Sequence, residues 1–277
     1  MAMGARLTIA AGSVAMSAVL GCGGDASGRQ SKGAAESPDA VEQRAVALMG
    51  HGDMESAAAM LRSAIDVEPG AAILHARLGY VYRYGGLMDA SISAYRRAQA
   101  LDASPEAMIS TEGQIAKSLI YLGDLDGAIA SHRRIDGWLD QVARRPDEKL
   151  LFYEGMAHLY AGRNADAVRL FDASHQTDST TLWSAFGRAY RHAALGDIAQ
   201  LLTMARLLEM RDDVADGERR YRLAHFFALA GDPVRAVHHL AGSIDAGFFN
   251  YPYITRDTLV ASIRTTSGFA AAVERAR

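Results

Sequence analysis

Six glycines recur along the chain at nearly even intervals, and this spacing constrains the fold more than any other feature. Consecutive members are separated by 34, 37, 39, 34 and 35 residues. The six are Gly52, Gly86, Gly123, Gly162, Gly196 and Gly231. Each is followed by an amphipathic stretch, and an internal period of this length is typical of stacked helix-turn-helix units. We therefore expect an all-α solenoid of about six units.

The residues around these glycines have physical roles in such a unit. Glycine can adopt the left-handed conformation that ends a helix. An aspartate directly after the glycine can cap the next helix and suits its positive N-terminal dipole. These aspartates are Asp53, Asp124, Asp197 and Asp232. Small residues such as Ala57 and Ala236 let two helices approach closely, so we expect them to be buried between helices.

The units resemble the tetratricopeptide repeat, a helix-turn-helix of 34 residues. Unit two carries Leu78, Gly79 and Tyr82 at the positions that the family uses on its first helix. The resemblance covers residues 38–247 and implies a right-handed superhelix. Residues 248–277 resemble the helical segment that closes many such bacterial chains, and we expect them to cap the last unit because solenoids need a shielded end.

The start of the chain is typical of a secretory signal. Leu7 to Leu20 is an uncharged, mostly apolar run, and Arg6 is the only charge before it. The residues Val19-Leu20-Gly21-Cys22 resemble the lipobox of bacterial lipoproteins. That resemblance implies cleavage before Cys22, a diacylglycerol on its thiol and acylation, for example by palmitate, of the new amine. An ordinary signal peptide and a short buried apolar segment are the alternatives.

This interpretation predicts four regions: a lipoprotein signal peptide at 1–21, a tether at 22–37, the solenoid at 38–247 and the cap at 248–277. Residues 23–37 contain no aliphatic residue larger than alanine, so we expect a flexible tether. The folded part would then face the periplasm, anchored by lipid. A glycine rather than an aspartate follows the cysteine, which by resemblance to the sorting rule of Gram-negative lipoproteins favours the outer membrane.

Composition and motifs argue against several function classes. A formal net charge of -3 without a basic stripe excludes the usual nucleic-acid binder. One cysteine cannot form an internal disulfide or a multi-cysteine zinc site. The neighbouring His238 and His239 point about 100° apart on a helix, so they cannot hold one metal ion together. No familiar catalytic motif is present, and we predict a non-catalytic protein without metal or cofactor.

By family resemblance, the first helix of each unit lines the concave face, where partners usually bind. The candidate groove residues are Tyr80, Arg83, Tyr84, Lys117, Tyr121, Phe152, Met156, Tyr160, Trp183, Tyr190, Tyr221 and His225. Aromatic side chains dominate binding hot spots because they give a large contact area at low entropic cost. We therefore predict a scaffold that docks a peptide or protein of the cell envelope in this groove.

Two other functions stay open from the sequence. The aromatic residues could stack on sugar rings, which would make the chain a glycan-binding or small-molecule-binding lipoprotein. A closed pocket with convergent polar groups would favour that alternative. The third candidate is an enzyme with a cryptic site, which a buried His–carboxylate pair in such a pocket would favour.

Overall fold

A computed structural model describes residues 36–277, which are built from helices, with no strand in that range. Twelve helices make six antiparallel pairs. The first three pairs are α1 (Pro38–Gly50) with α2 (Met54–Val67), α3 (Ala72–Tyr84) with α4 (Met88–Leu101), and α5 (Pro105–Leu122) with α6 (Leu125–Gln141). The next three are α7 (Glu148–Tyr160) with α8 (Asn164–Thr177), α9 (Leu182–Ala194) with α10 (Ile198–Glu209), and α11 (Gly217–Leu229) with α12 (Pro233–Asp245).

The turn between the two helices of each unit has the predicted chemistry. All six repeated glycines have a positive φ, between +71° and +89°. Gly123, for example, ends α5 with φ +89°, a conformation that a side chain would strain. The four predicted aspartates each cap the following helix by accepting a hydrogen bond from a backbone N–H three residues later. These N–H donors belong to Ser56, Gly127, Gln200 and Arg235.

The core lies between neighbouring helices and continues from unit to unit. Ala57 and Ala236 are fully buried, as the repeat pattern predicts, because a larger residue would hold the paired helices apart. Phe171 and Phe227 fill the space between units and have no exposed surface. The hydrophobic stretches are therefore buried by stacking, which is how a solenoid stabilises units that cannot bury their own apolar face alone.

Residues after α12 do more than cap the last unit. A 3-10 segment, Thr258–Ile263, packs on α11, and α14 (Ser267–Ala276) packs on α12, so together they cover the end of the solenoid. The preceding short helix, α13 (Tyr251–Arg256), and Phe248 instead turn into the concave side and contact helices of the second, third and fourth units. The predicted cap at 248–277 thus also fills space inside the superhelix.

Two glycines inside helices differ in how closely neighbouring side chains pack against them. A Cβ atom on Gly155 would lie 2.6 Å from Cε1 of Phe171, whose ring is fully buried, whereas a Cβ atom on Gly137 would have no heavy atom within 4 Å. We expect Gly155→Ala to lower the free energy of unfolding by about 1–3 kcal/mol through overpacking. Gly137→Ala should raise it by about 0.5–1 kcal/mol, since alanine favours the helix.

Urea unfolding followed by circular dichroism measures both changes. Gly137→Ala is the matched control, because the two substitutions are chemically identical and both lie inside a helix. Equal effects of the two alanines on the unfolding midpoint would contradict the close approach of α7 to α8 that the structure shows.

Candidate functional site

The concave side brings together the residues that the sequence assigned to a binding groove, but it does not leave them open. Nine of the twelve are buried, with at most 4% of their surface exposed. The nine are Arg83, Tyr84, Lys117, Tyr121, Phe152, Met156, Tyr190, Tyr221 and His225. Tyr80, Tyr160 and Trp183 are half-buried. Their role in binding a partner stays a prediction, but the open groove on which it depended is filled by the chain itself.

Aromatic residues of the C-terminal segment occupy the concave side. The fully buried ring of Phe248 lies 5.7 Å from the ring of Tyr84 and 5.3 Å from that of Tyr221, measured between centroids. Tyr253 stacks on Tyr121 with ring centroids 4.2 Å apart. Arg256 donates a hydrogen bond to the main-chain carbonyl of Tyr121. Helices more than a hundred residues apart in sequence are joined in this way, which makes the interior of the superhelix part of the core.

Glu218, in the first turn of α11, is a buried carboxylate that several donors share. Its Oε2 lies 2.9 Å from Nη1 of Arg83 and 2.9 Å from Nζ of Lys117, and Tyr121 donates its hydroxyl to Oε1. Arg222, one turn along α11, lies over the ring of Phe152. The carboxylate also sits at a helix N-terminus, where the helix dipole favours negative charge. Three buried cations therefore surround one buried anion.

The charges in this cluster shift each other's pKa values. Burial would raise the pKa of Glu218, but the positive charges of Arg83, Lys117 and Arg222 and the hydrogen bond from Tyr121 hold it well below its usual value. Burial, together with the neighbouring Arg83, lowers the pKa of Lys117 well below 10.5. Glu218 is thus ionised at any physiological pH, and it is the counter-ion that makes the buried guanidiniums tolerable.

A second polar cluster lies between α9, α11 and the C-terminal segment. Nε2 of His225 is 2.8 Å from Oδ2 of Asp257, and the Tyr190 hydroxyl is 2.6 Å from Nδ1 of His225. Tyr160 and Tyr221 each donate to the Asp257 carboxylate at 3.1 Å. Burial lowers the pKa of His225, which fits a neutral imidazole beside the Asp257 carboxylate.

This arrangement is the buried His–carboxylate pair that would favour an enzyme if it lay in a pocket. Neither His225 nor Asp257 has exposed side-chain surface, so no substrate reaches them without a rearrangement of the C-terminal segment. Both carboxylate oxygens accept hydrogen bonds from tyrosines, Nδ1 of His225 is bonded to the Tyr190 hydroxyl, and Nε2 lies in ion-pair contact with Asp257. The geometry therefore suits a structural network that fastens residues 248–277 to the solenoid, rather than proton transfer.

Trp183, at the start of α9, is the candidate groove residue whose surroundings best suit a partner. Its half-buried ring packs 5.4 Å from the rings of Phe152 and Tyr153, measured between centroids. Nζ of Lys149 lies 5.5 Å and the guanidinium of Arg219 5.7 Å from its centre. We call Trp183, Lys149 and Arg219 the Trp183 platform, an aromatic surface flanked by two cations at the edge of the filled concave side.

Comparisons with known proteins agree with this architecture. Residues 72–105, which contain α3 and α4, match the family model of the tetratricopeptide repeat. The fold is a tetratricopeptide repeat superhelix. No curated protein matches the chain. Several solved structures share the fold of this tetratricopeptide superhelix at low sequence identity, as three examples show.

The Rap conjugation gene regulator of plasmid pLS20, solved with the Phr* peptide, is 17% identical with a TM-score of 0.59, covering 85% of this chain and 68% of its own. The APC/C hetero-tetramer Cut9-Hcn1 is 14% identical with a TM-score of 0.54, covering 87% and 49%. PilW, a type IV pilus biogenesis factor, is 14% identical with a TM-score of 0.51, covering 82% and 98%.

Several residues that organise the concave side of this tetratricopeptide superhelix were not among the sequence candidates. Glu218, Arg222, Tyr253 and Asp257 were missed, and Phe248 was expected to shield the last unit rather than to fill the interior. The usable signal was the spacing on α11, because Glu218, Arg222 and the predicted His225 follow one face at helical intervals. Nothing in the repeat pattern indicates that the C-terminal residues turn inward.

Metal-binding and membrane-spanning features are absent from the part of the chain that the structure describes. Within residues 36–277 no group of three or more His, Cys, Asp or Glu side chains is placed to hold a metal ion. His239, one of the adjacent histidines, pairs with Glu209 at 2.8 Å instead. In the same range, no helix is both long and apolar enough to cross a membrane. Cys22 and the predicted signal peptide lie outside the described residues.

Proposed function

We propose that this chain is a non-catalytic lipoprotein that faces the periplasm and acts as a protein-interaction scaffold in the cell envelope. The tetratricopeptide superhelix supports the scaffold class. Among structures of this fold, the Rap regulator was solved with a bound peptide and Cut9-Hcn1 is part of a multi-subunit assembly. PilW is named as a pilus biogenesis factor, which is the kind of cell-envelope role proposed here.

The anchor in this proposal rests on the sequence around Cys22. One acyl chain gives only marginal membrane binding, whereas the two or three chains of a bacterial lipoprotein give stable anchoring. Attachment to a membrane would raise the local concentration of the scaffold near its envelope partner without any additional contact. The outer membrane is the proposed location because Gly23 follows the cysteine.

We propose that the partner binds at the Trp183 platform. Tryptophan and arginine are the residues most enriched in binding hot spots, and here they lie side by side at the edge of the concave side. The flanking Lys149 and Arg219 favour a segment with acidic side chains next to an apolar one. A partner bound here does not have to displace Phe248 or α13 from the interior.

The test is an in-cell crosslinking pull-down of the lipidated chain, read by mass spectrometry. The matched variants are Trp183→Ala and Trp138→Ala, since Trp138 is a half-buried tryptophan on α6 that is not part of the platform. We expect a partner protein that is lost with Trp183→Ala and retained with Trp138→Ala. Retention in both variants would place the interface elsewhere, and the absence of any partner in the wild type would contradict the scaffold.

A parallel labelling experiment tests the anchor. Metabolic palmitate should label the wild type and leave Cys22→Ser unlabelled, because the thiol is the proposed attachment point. Palmitate that persists in the Cys22→Ser variant would show that the lipobox interpretation is wrong.

A further inference from the structure

A cavity of about 220 Å³ opens between α5, α6 and α7, next to the Glu218 cluster. This volume equals that of about seven water molecules, which is enough for a small organic molecule. Polar groups on its wall come from Gln114, Lys117, His132, Lys149 and Tyr153. Ile109 and Leu150 add an apolar part, so the wall suits a molecule with both a charged and an aliphatic end.

Both lysines of residues 36–277, Lys117 and Lys149, line this one cavity, which we call the two-lysine cavity. Every other basic side chain in that range, apart from the histidines, is an arginine. The ammonium group of lysine is a compact charge with three donors on a flexible stem, whereas arginine presents a fixed planar fork. Two lysines on the wall of one cavity suit an oxygen anion held in a confined space.

The ionisable residues that line the two-lysine cavity carry one formal net positive charge, with the Glu218 partner of Lys117 outside the lining. Three cations, Lys117, Lys149 and Arg144, face two carboxylates, Glu106 and Asp147. Asp147 already caps α7 by accepting the N–H of Leu150 at 2.8 Å, which commits part of its charge to the helix terminus. The Lys117 ammonium is not fully compensated either, because Arg83 competes for the same Oε2 atom of Glu218.

Two residues that line the cavity each carry a buried polar atom without a hydrogen-bond partner within the described residues. These atoms are the Tyr153 hydroxyl and Nε2 of His132, and both side chains are at least nine-tenths buried. Burial raises the pKa of Tyr153 well above 10, so its phenol keeps a proton to donate. Burial lowers the pKa of His132 to about 4, so the ring is neutral, and in the tautomer protonated at Nε2 it donates without adding charge.

We infer that the two-lysine cavity binds the carboxylate group of a small organic acid. Lys149 and Lys117 supply the charge, and Tyr153 and His132 supply hydrogen bonds that nothing in the described residues takes up. A single net positive charge matches a carboxylate better than a doubly charged phosphate, and the apolar wall at Ile109 and Leu150 accommodates the aliphatic part. This inference goes beyond the scaffold proposal and needs neither a lipid anchor nor a protein partner.

Isothermal titration calorimetry of the purified full chain carrying Cys22→Ser tests the cavity. The probes are butyrate, its neutral analogue butyramide, inorganic phosphate and a hexaglutamate peptide with blocked ends. We expect butyrate to bind and butyramide not to bind. If only the hexaglutamate peptide binds, and Tyr153→Phe weakens this binding while Trp183→Ala does not, the carboxylate comes from a polypeptide and the assignment of the cavity still holds.

Three variants complete the test. Lys149→Gln should weaken carboxylate binding about tenfold, because a charge-assisted hydrogen bond is lost. Tyr153→Phe removes a buried hydroxyl without a partner, so it should weaken binding while leaving the thermal midpoint unchanged or raised. Arg97→Gln, on the exposed face of α4, is the control and should change neither. Circular dichroism confirms that each variant is folded.

Three results would overturn the inference. One is that neither butyrate nor the hexaglutamate peptide binds. A second is that phosphate binds as tightly as butyrate. The third is that folded Lys149→Gln and Tyr153→Phe variants bind as the wild type does. The butyrate titration and the Trp183→Ala pull-down read different ligands, so the scaffold proposal and the cavity assignment can fail separately.

Discussion

Glu218→Gln is expected to lower the free energy of unfolding by about 3–5 kcal/mol, the usual cost of removing one partner from a buried ion pair. The substitution leaves the shape of the side chain almost unchanged but leaves Arg83 and Arg222 without a buried counter-ion. Lys117 can lose its proton, which removes its buried charge and part of the desolvation cost, whereas an arginine stays charged. Urea unfolding at about neutral pH measures the loss.

Asp213→Asn is the matched control for this substitution. Asp213 also accepts from an arginine, Arg211, at 2.8 Å, but nearly half of its side chain is exposed. Exposed pairs contribute about 0–1 kcal/mol, so the control should unfold almost as the wild type does. Similar losses in the two variants would mean that the Glu218 cluster is hydrated rather than buried.

The pH dependence of stability provides a second readout of Glu218. Its pKa is lower in the folded chain than the value of 4.5 expected when unfolded, so the carboxylate stabilises the fold fully above about pH 4.5. This contribution is lost as the pH falls towards the folded-state pKa. Between about pH 5 and pH 3 the wild type should therefore lose more stability than Glu218→Gln, and parallel curves for the two proteins would contradict this.

Phe248→Ala is the other change with a large expected effect, a loss of about 3–5 kcal/mol in the free energy of unfolding. The Phe248 ring has no exposed surface and touches the rings of Tyr84, Tyr121 and Tyr221 from three different units. Removing it leaves a cavity at the centre of the concave side, where the surrounding helices are held apart by their own stacking. Phe249→Ala, at the half-buried neighbour, should cost clearly less.

Hydrogen exchange locates the effect of Phe248→Ala within the chain. We expect faster amide exchange in α13, which is fastened to the interior by Tyr253 and Arg256, and little change in α14, which packs on α12. Uniformly faster exchange in both helices would show that residues 248–277 detach from the solenoid as one cooperative unit. Unchanged exchange in α13 would mean that Phe248 does not hold the segment in the concave side.

The sequence alone determined what happens within one unit and between neighbouring units. The left-handed glycine turns, the aspartate caps and the buried alanines follow from chemistry that acts over a few residues or across one helix pair. The period near 34 residues adds how the pairs stack, because each unit of a solenoid mainly contacts the next one. The fold class could therefore be predicted before any coordinates, while the lipid anchor at Cys22 stays a prediction.

Only the tertiary structure determines which residues contact each other across the concave side. The hydrogen bonds from Tyr84 to Asp216 and from Arg256 to Tyr121 join residues 132 and 135 positions apart. No local pattern encodes these contacts, because they depend on small rotations between units that add up along the superhelix. Because of the same accumulated curvature, Tyr84, Tyr121 and Tyr190 are buried in the core instead of lining an open groove. It also brings Lys117 and Lys149 to the wall of one cavity.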